Sequence, residues 1–156
     1  MVARNQRSTK RSGASSKQQR NAPLIYFVDE CLGRHFVAEA FRAAGAAVEM
    51  HHDHFQPGAL DDDWLPVVGA RKWIVLTKDR HIRRRDLEIN AIVNARVRTF
   101  VLTAADLTGP EQASAFVRAL KKMDRIASAL AGPFIGRVSE AGGISLLQLH
   151  RRRRRA

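Results

Sequence analysis

Short, unbroken apolar runs alternate with stretches in which apolar residues recur at helical spacing. Unbroken apolar runs cover residues 24–28 and 73–76, and shorter apolar stretches with polar residues among them at 46–50 and 98–103 also predict strands. Runs of this length without polar interruption are typical of strands buried on both faces, as in a parallel sheet. Helical spacing predicts helices over 31–44, 64–70, 86–95 and 109–131. The alternation predicts an α/β fold in which right-handed crossovers build a central, mostly parallel sheet.

The inward faces and ends of these helices follow from the same pattern. Gly45 is a suitable residue to close the first helix, and Thr108 to Glu111 fits a capping box with a proline just inside the helix. Residues 134–138 and 144–149 flank a glycine-rich turn and predict a C-terminal β-hairpin. The predicted inward residues of helix 31–44 are Leu32, Phe36, Val37, Ala40, Phe41 and Ala44. Those of helix 86–95 are Ile89, Ile92 and Val93. Those of helix 109–131 are Phe116, Val117, Leu120, Met123, Ile126, Ala127 and Leu130.

The strong positive charge is concentrated at the two ends of the chain. The formal net charge is +12, from 27 basic and 15 acidic residues. Residues 1–22 carry six of the basic residues and 151–156 carry five, without any acid, so residues 23–150 hold 16 basic and 15 acidic residues. We therefore expect a disordered basic tail over 1–22, one folded domain over 23–150 and a basic C-terminal tail over 151–156. Such tails either bind phosphate backbone or only improve solubility.

The sequence excludes two classes of protein. Cys31 is the only cysteine, so no intrachain disulfide forms, which fits a reducing cytoplasm. No apolar run approaches the ~20 residues that a membrane-spanning helix needs. The basic amino terminus lacks the apolar segment of a secretory signal. We expect a cytoplasmic protein that has no contact with membranes.

Acidic residues occur at three places that the predicted fold brings together. Asp29 and Glu30 follow the first strand, Asp61 to Asp63 precede a helix, and Asp79 follows the third strand. The carboxyl ends of parallel strands meet at one edge of a sheet, where ligands usually bind. Carboxylates at one point repel each other unless a cation lies among them, and Mg²⁺ and Mn²⁺ prefer oxygen ligands. A divalent-metal site is one interpretation; helix capping by these acids is the other.

A cluster of arginines follows Asp79 directly. These side chains can hold a nucleic-acid backbone beside the carboxylates, or they can form a solvated face. The cluster comprises Arg80, Arg83, Arg84 and Arg85.

Three histidines, His51, His52 and His54, lie around Asp53 and suggest a metal site at first sight. Adjacent residues on a strand point to opposite faces, and the compact helical spacing of a histidine metal pair is missing. We therefore favour a strand end that enters a loop over a metal site.

The segments YFVDECLGRHF and DDDWLPVVGARKWIVLTKDRHIRRRDLE resemble the PIN-like nucleases, in particular the small group related to VapC-type toxins. The resemblance spans about residues 23–149 and implies a PIN-like three-layer fold. It implies that Asp29, Asp61 and Asp79 bind Mg²⁺ or Mn²⁺ and are catalytic, that Glu30 is a further ligand, and that Asp62 or Asp63 can replace Asp61. It assigns no role to Glu88.

The resemblance also implies an activity and partners. We expect a metal-dependent endoribonuclease that hydrolyses RNA phosphodiester bonds, the toxin half of a toxin–antitoxin pair, with a cognate antitoxin protein as partner and a homodimer left open. Two other functions are considered. One is a non-catalytic RNA-binding module of nuclease fold. The other is a receiver-like signalling domain, which usually has a lysine after the strand where this chain has Thr103.

Overall fold

A computed structural model describes residues 23–78, 85–147 and 149 of the chain. The two basic tails and the segment 79–84 lie outside these residues, as do positions 148 and 150. Of Arg85, only its place as the first residue of a helix is described. The predictions for Asp79, Arg80, Arg83 and Arg84 therefore fall outside the described part of the chain and rest on the sequence.

The described residues form one six-stranded sheet in the order β2-β1-β3-β4-β5-β6. Neighbouring strands from β2 to β5 are parallel, and β5 and β6 are antiparallel. The mostly parallel sheet and the C-terminal hairpin are thus confirmed. The strands are β1 (Ile25–Val28), β2 (Ala47–Met50), β3 (Ile74–Lys78), β4 (Arg98–Leu102), β5 (Phe134–Val138) and β6 (Ile144–Leu147).

Five α-helices and one short 3-10 helix are present in the described residues. The α-helices are α1 (Phe36–Ala43), α2 (His51–His54), α3 (Asp61–Ala70), α4 (Arg85–Ala95) and α5 (Gly109–Ala129). The single helix predicted over 31–44 is wrong, because a 3-10 helix at Glu30–Leu32 ends at Gly33 before α1 begins. Gly33 has a φ of 77°, a conformation that favours glycine and ends regular helix.

The helices cover both faces of the sheet and give three layers. One face packs Tyr26, Ile74 and Phe100 against α1 and α5. The opposite face packs Phe27 and Val75 against α3 and α4. Residues that alternate along a strand therefore enter different cores, which explains why β1 and the first three residues of β3 are apolar without interruption. None of the helices in the described ranges is long and apolar enough to cross a membrane.

Two further predictions need correction. The histidine segment is a single helical turn, not a strand end, and it buries His51 beside Phe27, Phe55 and Trp64. Ring packing therefore determines its conformation.

The inward face of α5 is also shifted from the predicted one. Val117 is 38% exposed and Leu130 is 42% exposed, whereas Ala115 and Ala119 are fully buried. The small alanine side chains let α5 lie close to the sheet and to α1. The positions of the large apolar residues therefore do not by themselves define the face of α5 that is buried. The cap is as predicted, since the Thr108 hydroxyl accepts a hydrogen bond from the Glu111 N–H at 3.3 Å.

The helix that carries Asp61 is held by close contact with its neighbour. A β-carbon placed on Gly69 of α3 would lie 2.1 Å from the carbonyl oxygen of Ala95 at the end of α4. Only glycine fits at that separation, so α3 and α4 approach each other backbone to backbone.

We expect Gly69→Ala to destabilise the fold. Overpacking costs about 1–3 kcal/mol and exceeds the roughly 1 kcal/mol that alanine adds to a helix. Urea denaturation measures the difference. Gly143→Ala is the control, because its added carbon would meet only the rotatable Ser139 hydroxyl, at 3.1 Å. Equal stability of the two variants would show that the helices separate without cost.

Candidate active site

The pairing of β1 with β3 places Asp29 at the carboxyl edge of the sheet. Val28 lies opposite Leu76 in the parallel register, and the Asp29 N–H continues the ladder by donating to the Leu76 carbonyl at 3.0 Å. Asp29 is thus the first residue beyond the strand while its backbone is still held by the sheet. The predicted position of this aspartate at the strand end is confirmed.

Both carboxylate oxygens of Asp29 accept hydrogen bonds. Oδ1 accepts from the Glu30 N–H at 2.7 Å, so Asp29 caps the short 3-10 helix. Oδ2 accepts from the Thr77 hydroxyl at 2.8 Å, and the Cys31 sulfur lies 3.4 Å from the same oxygen. These bonds fix the side-chain orientation before any ligand arrives. Sequence reasoning missed Thr77, although its position two residues before Asp79 was a signal.

Asp61 opens α3 and faces the same region as Asp29. Its Oδ1 accepts a hydrogen bond from the Trp64 indole N–H at 3.1 Å. Burial of the carboxyl group is the largest cause that raises the pKa of Asp61, and repulsion from Asp29 is the second. Asp62 raises this pKa further, whereas the hydrogen bond from Trp64 and the nearby His51 lower it. The repulsion shows that the two carboxylates lie near enough to influence each other. The sequence-based expectation that α3 brings Asp61 toward Asp29 agrees with this geometry.

The other two acids of this cluster are exposed residues of the first turn of α3. Leu60 is the N-cap residue and offers no side-chain hydrogen bond to the helix. The side-chain capping considered for the aspartate cluster is therefore absent at the N-cap itself. The negative charges of Asp62 and Asp63 can still stabilise α3 by interacting with the positive end of its dipole.

Glu30 is engaged with a neighbouring loop. Its Oε2 and Oε1 lie 3.1 and 3.3 Å from the Gly58 backbone nitrogen, which donates to them. Gly58 has a φ of 73° and belongs to the turn that leads into α3. Glu30 therefore connects the end of β1 to the segment that positions Asp61. Its predicted role as a metal ligand remains a prediction.

A cleft of about 390 Å³ contains these groups. Asp29, Glu30 and Asp61 line one end of it, together with Thr77 and Lys78. Glu88, from the first turn of α4, lines it as well. The structure thus brings three of the predicted site residues into one cavity.

The histidines differ in their surroundings. His51 is 1% exposed, lines the cleft, and has no hydrogen-bond partner for either ring nitrogen among the described residues. His52 pairs with Asp53 at 3.3 Å, and His54 bonds Glu49 at 2.7 Å. Within 23–78, 85–147 and 149, no group of three or more histidine, cysteine or acidic side chains is arranged to hold a metal ion.

The described donors nevertheless suit a hard divalent cation. Asp29 and Asp61 supply carboxylate oxygens from two elements; burial, and after it the repulsion between the two groups, raises the pKa of Asp61. A cation placed between them would relieve that repulsion. Glu30, the other described ligand candidate, is bonded to the Gly58 N–H, and the third predicted catalytic ligand, Asp79, follows Lys78 in the sequence outside the described part. The donor chemistry therefore fits Mg²⁺ or Mn²⁺ once a third oxygen ligand joins.

The fold, with acidic side chains at the carboxyl edge of a parallel sheet, defines a class of protein, and comparison with known families identifies that class. Residues 24–104 match the family described as PIN-like domain. The match covers more than half of the chain and includes Asp29, Asp61 and Asp79. The chain belongs to the PIN-like domain family.

One curated relative is similar over most of the chain. It is VapC45 of Mycobacterium tuberculosis (strain ATCC 25618 / H37Rv), a protein named as a candidate ribonuclease. The two are 28% identical over 113 residues, which is 70% of this chain and 81% of the relative. No solved structure matches the chain significantly.

Membership of the PIN-like family excludes the receiver-like interpretation. The strand order alone does not exclude it. The order β2-β1-β3-β4-β5 is also that of receiver domains. Where a receiver usually has its lysine, Thr103 donates a hydrogen bond to the Val138 carbonyl at 3.2 Å.

The raised pKa of Asp61 leads to a stability prediction. Because its pKa is higher in the folded than in the unfolded chain, ionised Asp61 opposes folding at neutral pH, and protonation removes that cost. We expect Asp61→Asn to raise the melting temperature of the metal-free protein at pH 7. The gain should vanish as the pH falls below the ordinary aspartate pKa of about 3.9.

Thermal melts from pH 7 to pH 3 measure this difference. Asparagine keeps an oxygen that can accept from Trp64, so the change removes mainly charge. Asp53→Asn, an exposed acid outside the cleft, is the control and should give no comparable gain. A lower melting temperature for Asp61→Asn at pH 7 would contradict the proposed repulsion.

Proposed function

We propose that the protein is a divalent-metal-dependent endoribonuclease that hydrolyses phosphodiester bonds of single-stranded RNA. The observation that carries the proposal is the approach of Asp29 and Asp61 at the carboxyl edge of the sheet, inside the cleft. The relative VapC45, named as a candidate ribonuclease, supports RNA as substrate. Single strands are favoured because unpaired RNA is what proteins read most readily.

The proposed metal site uses residues from three segments of the chain. Asp29, Asp61 and Asp79 would hold Mg²⁺ or Mn²⁺, with Glu30 as a further candidate ligand. When bound, the metal supplies an activated water and stabilises negative charge on the phosphate. Thr77 keeps one oxygen of Asp29 bonded at 2.8 Å, which leaves that carboxylate little rotational freedom.

The cations around the carboxylates would bind the RNA backbone. Lys78, the last residue of β3, lines the cleft next to the acids. The arginines Arg80, Arg83, Arg84 and Arg85 follow it in sequence and are proposed to contact phosphates. Positive charge is needed because the acids alone would repel the substrate.

Charge removal at the acids tests the reaction. We expect Asp29→Asn, Asp61→Asn and Asp79→Asn to remain folded by circular dichroism and to lose cleavage by on the order of a hundredfold or more. EDTA should abolish the activity of the unmodified protein, and Mn²⁺ should restore it. Cleavage of a fluorescent single-stranded RNA measures the rate.

The matched control is Asp53→Asn, which removes the same charge outside the cleft and should cleave normally. If the three site variants cleave as fast as the unmodified protein, the activity comes from another site or a contaminant. The hypothesis of a non-catalytic RNA-binding module would then be preferred.

The basic tails are proposed to add affinity without chemistry. They carry 11 of the 27 basic residues. Because phosphate contacts release counterions, RNA affinity should fall steeply with salt. Deleting 1–22 and 151–156 should flatten that dependence while cleavage at saturating RNA stays unchanged. An unchanged salt slope would show that the tails do not contact RNA.

The biological role is proposed from the relative. A protein of the VapC kind is the toxin of a toxin–antitoxin pair, so a cognate antitoxin is the expected protein partner. A homodimer and a cytoplasmic location remain part of this proposal. Co-purification with the product of the neighbouring gene, followed by inhibition of cleavage, would test the antitoxin role.

A further inference from the structure

The cleft extends well beyond the carboxylates. From Asp29 and Asp61 it continues across the sheet face beside α4 and reaches β6. On the sheet side it is lined by Val75, Val101, Ile135 and Leu147. These four side chains come from the neighbouring strands β3, β4, β5 and β6, and Thr99 lies between Val75 and Ile135 in the register, so the floor is apolar apart from one hydroxyl.

Two cations border this floor. Lys78 and Arg137 are half-buried and line the cleft, and the side chain of neither makes a hydrogen bond or ion pair with another described residue. Arg137 lies opposite Val101 in the parallel register of β4 and β5, which puts both side chains on the same face of the sheet. An arginine on an apolar sheet face with no acidic partner is suited to bind an anion supplied from outside.

A buried hydroxyl lies in the same cavity. Thr99 lines the cleft, is 0% exposed, and its Oγ1 has no hydrogen-bond partner among the described residues. Leaving such a group unpaired costs about 1–3 kcal/mol, so a partner provided by a ligand would be favourable. Thr99 and Val101 alternate with Phe100, which enters the other core, so the hydroxyl belongs to the cleft side of β4.

We propose that this part of the cleft binds the base of a nucleotide next to the scissile phosphate, with Thr99 bonding the base edge and Arg137 the flanking phosphate. The inference rests on the proposed ribonuclease function and assigns it a specificity pocket. A base has two apolar faces and a polar edge, which match an apolar floor with one hydroxyl. Its phosphates match the two outer cations, Lys78 toward the carboxylates and Arg137 at the far end.

The Thr99 side chain is fully buried, so base binding requires side chains of α4 to move. Ile89 and Ile92 of α4 line the cleft, and Ile89 is only half-buried. A small outward movement of these side chains would open the hydroxyl to a base. The cost of this movement would be lower for a base that bonds Thr99 than for one that leaves it unpaired, which gives base preference.

Binding of nucleoside monophosphates tests the pocket without requiring cleavage. Each of the four 5′-monophosphates is titrated by calorimetry in EDTA, with inorganic phosphate and the free nucleosides as comparison probes. We expect at least one nucleotide to bind more tightly than inorganic phosphate and more tightly than its nucleoside. The measurement stays valid if the protein has no nuclease activity, so the two proposals can fail separately.

Three variants and one control assign the contacts. Thr99→Val keeps the side-chain shape and should weaken the preferred nucleotide by about two- to tenfold while sparing the others. Arg137→Ala should weaken all four nucleotides and phosphate alike. Leu147→Trp should block base binding by filling the floor. Arg125→Ala removes the same charge from the exposed side of α5, on the opposite face of the sheet, and should change nothing.

Two results would overturn the pocket. One is equal affinity for nucleotides and inorganic phosphate, which would define an anion site without a base site. The other is unchanged nucleotide affinity and base preference in both Thr99→Val and Leu147→Trp, provided that both variants melt cooperatively. If Leu147→Trp fails to fold, the base preference of Thr99→Val decides alone, because a merely structural threonine would not alter it.

Discussion

Two like charges held close together at the edge of a sheet are the constraint around which this molecule is arranged. Asp29 is fixed by the β1–β3 ladder and by Thr77, and Asp61 is delivered by α3. Neither can move away easily, because one is tied to the sheet and the other lies on a helix packed without clearance against Ala95. Burial of the carboxyl group, and after it the repulsion from Asp29, raises the pKa of Asp61, as expected for a site preorganised for a cation.

The parallel core was predictable because burial on both faces leaves an unambiguous sequence pattern. The apolar stretches identified the first four strands, among them β1 and β3, which flank the site. Local backbone geometry was less predictable. A left-handed glycine at Gly33 divides a helix that apolar spacing alone joins, and the packing of His51 among aromatic rings makes a turn where the sequence suggested a strand end. The packing of His51 depends on tertiary contacts that no local window contains, whereas Gly33 is a local signal that apolar spacing does not use.

The site shows the same division. Acids directly after strands could be placed from sequence, since sheet topology brings those ends together. Residues that line the cleft from the middle of other strands could not be placed from sequence. Arg137 has the alternation of an outward-facing strand residue, and only its register opposite Val101 and its place in the lining of the cavity show that it borders the cleft. Thr99 looks like an ordinary strand threonine until its burial and lack of a partner are known. Asp79 and the arginines that follow it remain predictions from the sequence.

The hydrogen bond between Thr77 and Asp29 joins residues 48 positions apart in the chain. During translation, β1 therefore leaves the ribosome long before the strand that must pair with it. Until β3 follows, Asp29 has neither its ladder partner nor its hydroxyl, and Asp61 has no fixed position relative to it. A polypeptide that stops short of β3 has no assembled site. Under the proposed function, a chain that lacks β3 would therefore also lack the arrangement of carboxylates on which cleavage depends.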